Sequence, residues 1–131
     1  MLSEIPHIKA IQDEPRRRWF ADEEFDLIVW YEADELVVGF QLCYDKQKNQ
    51  RAFTWRAPGY SRHDRVDDGE NNPGRYKATP ILVSDGAFAA ADVAERFKAA
   101  GSDIDGSISS LVIQKILDWH PPKPEIRRPR L

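Results

Sequence analysis

The sequence predicts an α+β domain, an antiparallel β-meander of three to five strands packed against two C-terminal helices. Three observations predict it. Residues 25–56 alternate between apolar and polar with a period of two, interrupted twice by short polar segments. Residues 87–117 place apolar side chains at helical spacing instead. Strands also come first and helices last, the segregated order of an α+β layer packing rather than the alternation of a parallel sheet.

The elements follow in chain order. Ile8-Lys9-Ala10-Ile11, bracketed by Pro6 and Pro15, reads as an edge strand. In residues 25–31, Phe25, Leu27, Val29 and Tyr31 share one face, while Asp26, Ile28 and Trp30 form a mixed second face. In residues 36–44 the first face carries Leu36, Val38, Phe40, Leu42 and Tyr44. Ala33-Asp34-Glu35 has hairpin-turn length, so these strands are antiparallel neighbours. A polar break over 45–50 leads to a third strand at 51–56 with Phe53 and Trp55 on one side. Residues 57–80 read as a long loop, punctuated by Pro58-Gly59, Asp68-Gly69 and Pro73-Gly74. Ile81-Leu82-Val83 is a short strand or the approach to a helix. Ser84 or Asp85 caps the first helix, which carries Phe88, Ala91, Ala94 and Phe97 and stops at Gly101. The second helix starts near Asp103 or Asp105, places Ile104, Ile108, Leu111, Val112 and Ile116 at core-facing spacing with Ile113 and Leu117 widening the stripe, and ends before Pro121-Pro122. Residues 1–120 are then one domain, and residues 121–131 a Pro- and Arg-rich tail.

Composition limits the function classes. A net charge of −3 gives no general attraction to nucleic acid or an anionic membrane surface, which disfavours both as partners. No apolar run approaches the ~20 residues of a membrane span. A single cysteine, Cys43, excludes an internal disulfide and a multi-cysteine zinc site, and with no signal-like start the expectation is a cytoplasmic protein.

Residues 57–80 hold the densest set of reactive side chains. His63, Asp67, Asp68 and Glu70 are the candidates for acid–base or metal-assisted catalysis, because carboxylates and an imidazole can ligate a hard cation or move a proton. Arg62, Arg65, Arg75 and Lys77 form a candidate anion site for a small phosphate or carboxylate ligand. The competing structural reading is opposite charges pairing across a solvated loop. No spacing matches a known metal or cofactor motif, so no metal and no cofactor are expected. Asp103 and Asp105 lack the terminal carboxylates of a calcium loop and read as helix caps.

Arg16-Arg17-Arg18-Trp19-Phe20 mixes cations and aromatics as single-strand binders do, but flanking acids offset its field. Trp19 and Phe20 read as anchors to the core. Trp30 and Ile28, on the mixed face, point to a covered second face and hence to a homodimer.

The runs Arg16-Arg17-Arg18-Trp19-Phe20, Phe25-Asp26-Leu27-Ile28-Val29-Trp30 and His63-Asp64-Arg65-Val66-Asp67-Asp68-Gly69-Glu70 resemble those of a family of short bacterial proteins of unknown function. The resemblance implies a bacterial cytoplasmic origin and no particular activity. The leading expectation is a non-enzymatic binding domain that self-associates through the mixed sheet face. The alternative is a small enzyme or anion binder built on residues 57–80.

Overall fold

A computed structural model describes residues 1–6, 16–32, 36–47, 49–67, 81–84 and 88–119. Among these residues it is an α+β structure with one antiparallel sheet and two helices. Seven strands run in sequence order: β1 (Ser3–Glu4), β2 (Arg16–Ala21), β3 (Asp26–Tyr31), β4 (Val37–Tyr44), β5 (Arg51–Arg56), β6 (Tyr60–Asp67) and β7 (Ile81–Ser84). The helices α1 (Ala90–Ala100) and α2 (Gly106–Leu117) follow.

The sheet is thus wider than the three to five strands expected. Two strands were hidden by their charge. Arg16–Ala21 pairs along its whole length with β3. Tyr60–Asp67, expected within the 57–80 loop, pairs with both β5 and β7. A ladder is made by backbone N–H and C=O groups, so a strand whose side chains are mostly charged pairs as well as an apolar one once neighbours hold it. The expected edge strand at 8–11 lies outside the described residues, and β1 pairs instead with β2. In the β4–β5 connection Asp45 and Asn49 take left-handed backbone angles, φ 54° and 57°, which these two residue types tolerate best after glycine.

Alternation sorts the strands into two faces. Phe20, Leu27, Val29, Tyr31, Phe40, Leu42, Tyr44, Phe53 and Trp55 point to the first face, and all are buried. Both helices close over it with Val93, Ala94, Phe97, Ile108, Val112 and Ile116. Phe97 meets Phe25 edge to face at 5.9 Å. The bulge between Trp30 and Tyr31 shifts the register so that Tyr31 pairs with Val37. Val37, not Val38, therefore packs against the core, and Leu36 stands 62% exposed.

The helix ends differ in kind. Asp105 caps α2, its carboxylate accepting from the Ser107 N–H at 2.9 Å and the Ser107 hydroxyl at 2.8 Å. These two bonds hold the Asp105 carboxyl below its ordinary value. In α1 the capping position is Ala89, with no side-chain bond, and Ser84 belongs to β7. Ala91, expected on the buried stripe, is exposed because the stripe of α1 is centred on Val93, Ala94 and Phe97. Leu117, expected to widen the α2 stripe, is 55% exposed.

Arg96 joins three elements. It bonds Glu24 in the β2–β3 turn, Asp45 beyond β4 at 2.9 Å and Asp92 one helical turn back at 3.1 Å. Its guanidinium also lies 5.8 Å from the centre of the Tyr44 ring. Leu2, buried at 1%, donates its backbone N–H to the Ala100 carbonyl and ties the described N-terminal residues to the end of α1.

Candidate functional site

The second face of the sheet is where the chemistry of the chain departs most from packing. Strand register sets out its rows. One row runs Arg17, Trp30, Gly39, Arg56 and Tyr60 across β2 to β6. The next runs Trp19, Ile28, Gln41, Thr54 and Arg62, and a third runs Ala21, Asp26, Cys43, Ala52 and Asp64. Trp19, Ile28, Trp30, Gln41 and Cys43 are half-buried here, whereas the corresponding positions of the first face are closed. Both helices lie on the first face.

The run Arg16-Arg17-Arg18-Trp19-Phe20 is split by the pleat. Arg16 and Arg18 point to the first face, with their guanidinium groups 5.3 Å from the Tyr31 ring centre and 5.0 Å from that of Phe20. Arg18 is also held in a two-bond pair with Glu4, and that bond keeps the Glu4 carboxyl below its ordinary value. Arg17 and Trp19 go to the second face. Phe20 is a core residue, as expected, but Trp19 is not, because adjacent residues of a strand cannot share a side.

Trp30 and Arg56 meet across β4. The Arg56 guanidinium stands 4.9 Å from the Trp30 ring centre, a cation–π contact. Gly39, the residue between them in the row, makes this contact possible. A Cβ there would lie 2.8 Å from the Trp55 carbonyl oxygen, 3.3 Å from Arg56 Cγ and 3.4 Å from Trp30 Cε3.

Of the residues expected to form a reactive loop, Arg62, His63, Arg65 and Asp67 lie on β6. Arg62 and His63 face opposite sides of the sheet, and Arg65 shares the side of His63. Arg62 gives both Nε and Nη2 to Asp64 Oδ1, at 2.9 and 2.6 Å. Asp64 is wholly buried, and its Oδ2 has no hydrogen-bond partner among the described residues. Asp67 ends β6, while Asp68, Glu70, Arg75 and Lys77 lie outside the described residues.

His63 lies in a box of rings beneath the helices. Its ring stacks on Phe88 at 4.3 Å, parallels Tyr44 at 5.9 Å and meets Trp119 edge-on at 6.3 Å. Nε2 and the Tyr44 hydroxyl share a 2.5 Å hydrogen bond. At 3% exposure the imidazole is closed to any substrate unless Phe88 and Trp119 move aside. Among the described residues no three His, Cys, Asp or Glu side chains converge as metal ligands would.

Cys43 is half-buried on the second face, in the row with Asp26. Burial, and then the Asp26 carboxylate, push its thiol up to about 11. At pH 8 it therefore holds about a hundredfold less thiolate than an ordinary cysteine. Alkylation by iodoacetamide at pH 8 is expected to be slower than that of a free thiol by at least that factor, read by mass spectrometry. The sign for stability follows from the raised value. The protonated thiol is favoured in the fold, so its contribution is complete below pH 9 and lost as pH rises through 11, a fall of roughly 2–3 kcal/mol. A Cys43→Ala variant should lack that alkaline loss.

No family model, curated protein or solved structure matches the chain. Among the described residues no helix is long and apolar enough to cross a membrane.

Proposed function

We propose that the protein is a non-catalytic binding domain that associates with a second copy of itself through the second sheet face. One observation carries this reading: Trp19, Ile28 and Trp30 are only half-buried on a face opposite both helices. Tryptophan and arginine are the residue types that dominate binding energy at protein interfaces, and the Arg56–Trp30 stack supplies both in an ordered arrangement.

The area sets the expected strength. Strands β2 to β6 are spaced about 4.8 Å apart and offer about six residues each, at most roughly 450 Å² of face per copy, within which Ala52, Thr54 and Asp64 are already buried. That is at the low end for a specific interface, so the dimer is weak and concentration-dependent. Light scattering coupled to size exclusion should show a monomer in dilute solution passing to a dimer as concentration rises. Trp30→Ala should abolish the dimer at a cost in stability below that of a core truncation, since Trp30 is half-buried and lies outside the core beneath the helices. A chain that stays monomeric at every accessible concentration removes the reading.

A catalytic role for His63 has less support. Its described neighbours are aromatic rings, and of the carboxylates expected with it Asp67 stands four residues along β6 while Asp68 and Glu70 lie outside the described residues.

A further inference from the structure

We propose that Arg17 and Arg56, on either flank of Trp30, form a binding site for a small oxyanion of the phosphate class. The other arginines whose partners are described are committed elsewhere: Arg18 to Glu4, Arg62 to Asp64, and Arg96 to three carboxylates. Among the described residues neither Arg17 nor Arg56 has a carboxylate within ion-pair distance. Arg17 is nevertheless half-buried, and its Nε is closed off from solvent without a hydrogen-bond acceptor. Two residues along the same strand, on the same face, Trp19 Nε1 is another buried donor without an acceptor. A partly desolvated guanidinium with no counter-charge is costly, and so is a buried N–H with no acceptor. The first of these costs falls when an anion is bound at the accessible end of the guanidinium.

Register brings the two cations together. Arg17 stands directly opposite Trp30, and Trp30 opposite Gly39, whose missing side chain lets Arg56 reach over β4 to the indole. Arg56 is exposed, and its guanidinium is held over the indole where its N–H groups can be reached by an oxyanion with several acceptor oxygens. The chemistry selects phosphate or a phosphomonoester over a monovalent halide, because only a multi-oxygen anion can accept from both guanidinium groups. The site lies on the face proposed to self-associate, but it is built within one copy and is measurable on the monomer. In a symmetric pair the bound anion would also offset the charge of four arginines brought onto one interface.

The test is a titration of the dilute, monomeric chain with inorganic phosphate and with a nucleoside monophosphate, at ionic strength held constant with chloride. Thermal denaturation should show a saturable rise in Tm, and the Nε–Hε resonances of Arg17 and Arg56 should shift along the same isotherm. Arg17→Gln or Arg56→Gln should weaken the apparent affinity at least tenfold. Arg65→Gln, on the other face, should leave it unchanged. Should one of the two variants fail to fold, the other carries the test. No saturable shift in the wild-type chain, or equal affinity in Arg17→Gln, Arg56→Gln and wild type, overturns the site. A single-stranded oligonucleotide that binds far more tightly than the monophosphate, through the same two arginines, overturns its assignment to a small ligand. A dimer with no anion response sinks this site alone; an anion response in a permanent monomer sinks the proposed self-association alone.

Discussion

Phe97→Ala is expected to cost about 3–5 kcal/mol of unfolding free energy, a large share of the 5–15 kcal/mol that a domain of this size has in total. Phe97 has no exposed surface and is the largest side chain that α1 places on the sheet. Its ring meets Phe25 edge to face. Truncation removes the transfer free energy of the ring and leaves a cavity that the pleated sheet, braced by its ladder, is poorly able to collapse. Urea unfolding followed by tryptophan fluorescence should show a lowered midpoint with little change in slope. A loss below 1 kcal/mol would mean that α1 is not anchored on the sheet through this residue.

The second large effect is expected at Gly39, from the opposite cause. Gly39→Val adds atoms where even a Cβ would stand 2.8 Å from the backbone oxygen of Trp55. A carbonyl in a paired strand cannot swing aside as a long side chain can, so β4 and β5 must separate locally. Overpacking of this kind typically costs about 1–3 kcal/mol and occasionally more. The Arg56–Trp30 stack should be lost as well, moving the Trp30 emission and the Arg56 Nε–Hε resonance. Arg56→Ala makes a useful control, since it removes the stack without overpacking. If Gly39→Val were as stable as wild type, the close approach of the two strands at this point would be refuted.

Much of the first face was legible without coordinates. Leu27, Val29, Phe40, Leu42, Phe53 and Trp55 repeat every second residue, and only one side of a pleated strand can satisfy that rhythm. Ile108, Val112 and Ile116, spaced by four, gave the buried stripe of α2, and Asp105 was readable as its cap. The strand at 60–67 was not legible. Tyr-Ser-Arg-His-Asp-Arg carries no apolar alternation, and its pairing is made by backbone groups that every sequence shares. Val37 was misplaced for a related reason: a bulge shifts register without leaving any mark in composition.

The candidate reactive residues crowd together in sequence. Crowding along a strand does not bring side chains together, since the pleat sends Arg62 and His63 to opposite sides. The reverse holds for Arg17 and Arg56, which stand 39 positions apart by their numbers and become neighbours of one indole. No local pattern encodes that meeting.

By itself the chain determined its class, its apolar face and the order of strands before helices, because burial and periodicity are properties of neighbouring residues. Only the tertiary structure decided how many strands pair, which charges are neutralised and which groups look out from the second face. Those outcomes depend on backbone ladders and on register between distant segments, where the energy lies in the pairing and not in either strand alone.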